Sequence, residues 1–169
     1  MDKNQKTIKI AAISKVTEHI QELTQLGYNV ILFTDIDDTI LSTKIGQTLV
    51  EKDVKTLIGN VYYNNPSNLV FLTARDPDYK RNTNHHLNRA KLHSKGKYIT
   101  YNIICSPYDN GNPTKGESLV SYCKKWISNS NSNNWIIFVD DAPEQISDVE
   151  QHINSLDMNY TLFHYVFAQ

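Results

Sequence analysis

Residues 30–41 read Val30-Ile31-Leu32-Phe33-Thr34-Asp35-Ile36-Asp37-Asp38-Thr39-Ile40-Leu41. The apolar run Val30 to Phe33 ends in three carboxylates within four positions. An uninterrupted apolar run is the pattern of a central parallel strand, buried on both faces. Closing it with acids is costly, because neighbouring like charges repel and a buried carboxylate resists ionisation unless a cation neutralises it. In open α/β sheets ligands collect beyond the carboxyl ends of the strands, so these acids stand where chemistry is normally done.

Strand-like and helix-like segments alternate on either side of this stretch. Residues 8–13 form a short apolar strand, and Ser14 is placed to cap a helix that runs to Leu26 and stops at Gly27. Val50, Val54, Leu57, Ile58 and Val61 recur at helical spacing, predicting a helix over 49–63. Strands are expected at 69–73, 98–105, 135–139 and 160–167, and helices at 78–94, 115–127 and 143–156, with loop at 106–114 and a Ser/Asn-rich linker at 128–134. A β-α series of this kind implies a parallel sheet with helices on both faces and right-handed crossovers. At 169 residues a single domain over 1–169 is expected.

A formal net charge of −1 argues against a protein that grips nucleic acid by bulk electrostatics. No stretch has the ~20 apolar residues of a membrane span, and the polar start has no signal-peptide core, so a cytoplasmic protein is expected. Cys105 and Cys123 lack metal-ligand spacing and read as reduced, buried thiols. Trp126, Trp135 and the tyrosines are expected to pack in the core.

Four polar groups stand at the ends of four expected elements: the Asp35/Asp37/Asp38/Thr39 cluster, Thr73, Lys115 and the Asp140-Asp141 pair. Parallel strands share a direction, so all four can meet on one edge. Each has a bland reading alone: a solvated turn, a capping hydroxyl, an exposed lysine, acids at a helix amino end. Together they supply what phosphoryl transfer through an aspartyl phosphate needs. That chemistry calls for a carboxylate nucleophile, carboxylates for a hard divalent ion, a hydroxyl and an ammonium for the phosphate oxygens, and a second acid to move the proton.

In that order and spacing the sequence resembles the haloacid dehalogenase superfamily of phosphotransferases. The motifs are Asp35-Ile36-Asp37-Asp38-Thr39, Val70-Phe71-Leu72-Thr73-Ala74-Arg75, Pro113-Thr114-Lys115-Gly116-Glu117 and Ile137-Phe138-Val139-Asp140-Asp141. The resemblance implies a three-layer Rossmann-like α/β fold of that type and a Mg²⁺-dependent phosphatase. Asp35 would be the nucleophile and Asp37 the general acid/base. Mg²⁺ would be held by Asp35, the Asp37 backbone carbonyl, Asp140 and Asp141. Thr73, Ala74, Arg75 and Lys115 would bind substrate, with Thr73 and Lys115 gripping the phosphoryl group and Thr39 supporting the loop by hydrogen bonding. More narrowly, the phrasing resembles a bacterial branch of that superfamily whose function is unknown.

Specificity in the superfamily usually comes from caps inserted after the first or second motif. Here there is room only for a short flap near residues 40–48, so an uncapped, open site is expected, suited to a large or variable phosphorylated substrate. The segment 75–97 carries seven Lys/Arg against two Asp, and reads either as a solvated face or as a rim for a polymeric substrate such as a nucleic acid end. His85, His86 and His93 within it read as surface residues. A phosphorylated signalling receiver is disfavoured because its acidic pair comes first. The remaining alternatives are a phosphate-binding or scaffold protein with an inactive site, and a polynucleotide-end phosphatase.

Overall fold

A computed structural model describes residues 3–92, 96–106, 114–127 and 133–167. Six strands form one parallel sheet: β1 (Gln5–Ile10), β2 (Asn29–Thr34), β5 (Leu69–Thr73), β6 (Ile103–Cys105), β7 (Asn134–Asp140) and β8 (Asn159–Tyr165). Their order across the sheet is β1-β8-β7-β2-β5-β6, with every pair parallel. Two short strands, β3 (Leu41–Ser42) and β4 (Thr48–Leu49), pair antiparallel as a separate flap after the acidic cluster.

Alternation along the strands divides the core into two faces. On one, Val30 and Leu32 of β2 pack with Val16 and Ile20 of α1 (Ser14–Gln25) and Leu57 and Ile58 of α2 (Val54–Asn64). On the other, Ile31 and Phe33 pack with Leu119 of α4 (Lys115–Trp126) and Ile146 and Val149 of α5 (Pro143–Ile153). The result is a three-layer, Rossmann-like α/β architecture. The expected α/β parallel sheet is present, and no helix among the described residues is long and apolar enough to cross a membrane.

Several boundaries differ from expectation for identifiable reasons. The helix expected over 49–63 begins at Val54, because Thr48–Leu49 is drawn into the flap and Val50 N–H donates to the Ile40 carbonyl at 3.0 Å. Ser14 is the first residue of α1 rather than its cap; the Ile13 N–H is met instead by the Glu51 carboxylate at 3.0 Å. The strand expected over 8–13 spans Gln5–Ile10, in register with β8.

The strand expected over 98–105 is reduced to Ile103–Cys105. Its first half is bonded by side chains of α3 (Lys80–Arg89), the main helix of the segment expected to be helical over 78–94. Asn88 Oδ1 accepts from Ile99 N–H at 2.8 Å, Asn84 Oδ1 accepts from Tyr101 N–H at 2.9 Å, and both side-chain amides donate to the Ile99 carbonyl. Two asparagines at i, i+4 thus replace part of a strand partner. Cys105 and Cys123 are free and buried. Trp135 is buried, whereas Trp126, expected in the core, is 65% exposed, as are Tyr63, Tyr79 and Tyr98 in large part. His93, most of the 106–114 loop and most of the 128–134 linker lie outside the described residues.

Candidate active site

The carboxyl end of β2 leads directly into the acidic cluster. Asp35 N–H donates to the Val139 carbonyl at 2.9 Å, which fixes Asp35 beside the end of β7, where Asp140 and Asp141 stand. Asp38 then adopts a left-handed backbone, φ 61°, tolerated by Asp more readily than by most residues. Its carboxylate accepts from the Thr43 N–H and hydroxyl, both at 2.9 Å, so Asp38 builds the turn into the flap. That role has no signature in the sequence, because its partner Thr43 stands five residues on.

Lys115 arrives from the far side of the sheet as the first residue of α4. Thr114 caps the helix by accepting from Glu117 N–H at 3.1 Å, a Thr-x-x-Glu pattern visible in the sequence. Gly116 fixes the helix's approach: a Cβ there would lie 2.5 Å from His152 Nδ1 and 2.6 Å from the Asp148 carbonyl, so α4 and α5 meet through its missing side chain. Gly116 N–H donates to Asp148 Oδ2 at 2.7 Å.

These constraints deliver the Lys115 ammonium between two acids, 2.8 Å from Asp35 Oδ1 and 2.7 Å from Asp140 Oδ2. All three residues are buried: Asp35 is 6% exposed, Lys115 3% and Asp140 1%. Thr39, also buried, donates its hydroxyl to Asp35 Oδ2 at 3.0 Å and lies 3.3 Å from Asp141 Oδ1. Asp140 Oδ1 accepts from Ala142 N–H at 3.0 Å. His164 Nε2 is 3.2 Å from the Asp141 carbonyl, which only accepts, so Nε2 carries the proton.

Charge is not balanced here. Carboxylate oxygens of Asp35, Asp140 and Asp141 lie within 4.8 Å of one another, and among the described residues the Lys115 ammonium faces them. Burial, then the Asp35 charge, push Asp140 up to about 6 despite Lys115. Burial and the Asp35 carboxyl, both its charge and its hydrogen bond, push Asp141 up to about 7. Burial would lower the Lys115 pKa, but the Asp35 and Asp140 carboxylates outweigh it and hold the ammonium above its ordinary value. When ionised, the three carboxylates carry more negative charge than the Lys115 ammonium offsets, with Asp35 and Asp140 buried and Asp141 half-buried. That donor set fits a hard divalent cation.

Asp37 is not part of this triad. Arg75 holds it through two parallel hydrogen bonds, Nε to Oδ2 at 2.9 Å and Nη2 to Oδ1 at 2.6 Å. The same guanidinium donates to Gln47 Oε1 of the flap at 2.6 Å and to Thr83 Oγ1 of α3 at 3.3 Å, and lies 3.2 Å from His86 Nδ1. A guanidinium only donates, so His86 Nδ1 accepts and is unprotonated; burial and then Arg75 lower the pKa of that ring. Arg75, expected at the substrate, therefore spends its donors on Asp37 and the flap. Gln47, at φ 64°, carries no sequence signal for this contact.

Thr73 ends β5 next to β2 on the same edge, fully buried, and its hydroxyl accepts from Arg75 N–H at 3.1 Å. Ala74 is exposed between them. Arg81, Arg89, Lys91 and Lys97 of the basic segment are exposed. A cavity of about 760 Å³ lies at the opposite end of the strands, and no acid, lysine, arginine or histidine lines it among the described residues. The titratable cluster, and not cavity size, marks the candidate site.

Fold and site define a three-layer α/β protein with an acidic, lysine-bridged centre at the carboxyl edge of its sheet. The family model described as "Protein of unknown function (DUF2608)" matches residues 43–169, about three quarters of the chain, and the chain belongs to that family. The match takes in Thr73, Lys115, Asp140 and Asp141 and begins in the flap, after Asp35 and Asp37. No curated protein and no solved structure matches the chain.

Proposed function

We propose that this protein is a Mg²⁺-dependent phosphomonoester hydrolase of the haloacid dehalogenase type, working through an aspartyl phosphate. The observation that carries the reading is the Lys115 ammonium bridging Asp35 and Asp140 at 2.8 and 2.7 Å, with Asp141 in the same cluster. Asp35, Asp140 and Asp141 would hold the ion, which when bound supplies charge neutralisation for the phosphoryl group.

In the first half-reaction an Asp35 carboxylate oxygen attacks phosphorus, the bond to the ester oxygen breaks, and Asp37 gives its proton to the departing alkoxide. In the second, Asp37 takes a proton from water, the oxygen attacks phosphorus, and the Asp35–phosphorus bond breaks to release inorganic phosphate. Lys115 stabilises negative charge on the phosphoryl oxygens, and Thr39 orients Asp35. The Arg75 fork holds the Asp37 carboxyl in one rotamer.

The test is hydrolysis of phenyl phosphate with Mg²⁺ by the wild type and by Asp35→Asn. The variant is expected to keep its fold and to lose at least about a thousandfold in turnover, within the range seen on removing a catalytic nucleophile. Undiminished turnover by Asp35→Asn sinks the reading. A rise in melting temperature on adding Mg²⁺ to the wild type, absent in Asp140→Asn, tests the ion site without turnover.

A further inference from the structure

In the proposed reaction Asp37 gives its proton to the departing alkoxide, so the alcohol leaves on the Asp37 side of the site. The Asp37 side chain is 36% exposed, against 8% for Asp35, and its partner Arg75 touches both Gln47 and His86. Those two residues line a cleft of about 580 Å³ between the flap, the start of α2 and α3, so the cleft adjoins the general acid. Lys52, Lys55 and Arg89 line it as well, and no acid does among the described residues. Lys55 also lines a second cavity of about 490 Å³, towards the carboxyl end of α3, together with Lys91, Lys97 and Tyr98. That cavity has no acid in its described lining either. The shared lysine joins the two into one track of five exposed cationic side chains leading away from Asp37. Among the described residues none of the five has a carboxylate at ion-pair distance. The formal net charge of the chain is −1, so this concentration of positive charge is local.

We infer that this track receives a single-stranded polynucleotide whose terminal phosphate is the group hydrolysed. The inference rests on the phosphatase reading and adds the substrate class to it. The step is the one already described, with the terminal sugar hydroxyl as the alcohol and its oxygen taking the Asp37 proton. Either cavity alone suits a small organic group, and two in series exceed what one small alcohol fills. A phosphodiester strand brings repeated negative charge to repeated cations. Tyr98, on the second cavity, is 61% exposed, and its hydroxyl accepts from Asn84 Nδ2 at 3.2 Å, which fixes an aromatic ring where a base can stack. An acidic peptide would use the cations but has no base for that ring, and cavities of this size exclude a duplex.

The experiment compares kcat/KM at constant Mg²⁺ for phenyl phosphate, thymidine monophosphate and octathymidylate phosphorylated at its 5′ or its 3′ end. The proteins are the wild type, Lys55→Ala, Arg89→Ala, Tyr98→Leu and, as a remote control, Lys125→Ala. The wild type is expected to prefer one octamer to phenyl phosphate at least about tenfold, and to lose that preference between about 50 and 200 mM KCl. Lys55→Ala and Arg89→Ala should each reduce the ratio of octamer to phenyl ester roughly threefold to fivefold, the scale of one exposed charge contact. Tyr98→Leu should reduce it at least about fivefold, the loss of one stacked base, while Lys125→Ala leaves it alone. Turnover of phenyl phosphate reports on the phosphatase reading by itself. The track is read independently by the fluorescence anisotropy of labelled octathymidylate without a terminal phosphate, whose binding should weaken in Lys55→Ala, Arg89→Ala and Tyr98→Leu. Ratios and binding unchanged in those three variants overturn the inference, as does equally fast turnover of thymidine monophosphate or of an acidic phosphoserine octapeptide.

Discussion

The two ends of the central strands β7, β2 and β5 both bury polar side chains, and they do so in opposite ways. At the amino ends Asn29 donates to Asn134 Oδ1 at 2.9 Å and accepts from Asn68 at 2.7 Å, a ladder of neutral amides. At the carboxyl ends the same neighbourhood holds Asp35, Asp140, Asp141 and Lys115, with negative charge in excess. Amides satisfy one another without ionising, so the first arrangement needs nothing further. Buried like charges raise one another's pKa and remain short of a partner, so the second is stable only with help or at a cost. A sheet end can thus be closed with neutral groups, and the charged end is where function is to be sought.

The sharpest way to break that contrast is Lys115→Met, which leaves Asp35 and Asp140 buried without their cation. Urea unfolding without added metal should show a loss of about 3–5 kcal/mol, the usual penalty for stranding buried charge. A loss below about 1 kcal/mol would mean that the acids do not depend on the lysine. Next in size, Arg75→Ala should lower kcat for phenyl phosphate roughly a hundredfold, within the range ascribed to a general acid/base. Arg75→Lys, which keeps charge but loses the fork, should recover only part of it. A change in KM alone would assign Arg75 to substrate instead.

The pH dependence tests the same contrast more gently. Asp140 and Asp141 titrate at about 6 and about 7 in the fold, above the ordinary carboxyl value. Between about pH 4 and 7 the folded state therefore binds more protons than the unfolded chain, and these two groups lower stability as pH rises through that window. Together they should cost the metal-free protein on the order of 3–5 kcal/mol, allowing for the half-exposure of Asp141. Thermal melts should fall by several degrees from pH 4.5 to 7.5 relative to an Asp140→Asn/Asp141→Asn double variant. Smallest of all, Asn134→Ala at the neutral end should cost about 1–2 kcal/mol in unfolding experiments and shift no pH profile, since it strands the neutral Asn29 amide.

How far the sequence could be read varied with how local the deciding force was. Strand β5 falls at 69–73 and α4 starts at Lys115 as expected, because an apolar run or a Thr-x-x-Glu cap carries its own signal. The start of α2 was not legible: Leu49 and Val50 have helical spacing, yet the flap claims them through a contact with Ile40. The shortness of β6 depends on Asn84 and Asn88, whose amides substitute for a neighbouring strand only once α3 is packed beside it. Asp35, Lys115, Asp140 and Asp141 could be proposed as one cluster from order and strand direction alone. Arg75 could be proposed, but its partners Asp37, Gln47 and Thr83 could not.

By itself the sequence determined that a parallel α/β sheet would form and that acids, a hydroxyl and a lysine would stand at the ends of its elements. Strand polarity is written in the apolar period and the turn residues, and it places every carboxyl end on one edge. Only the tertiary structure decided which charges touch. Lys115 reaches both acids because Gly116 lets α4 approach α5, and Asp37 turns to Arg75 because the flap and α3 meet there. The difference lies in range: burial pattern is a property of each segment, whereas the pairing of buried charges is settled by ångström distances between segments remote in the chain.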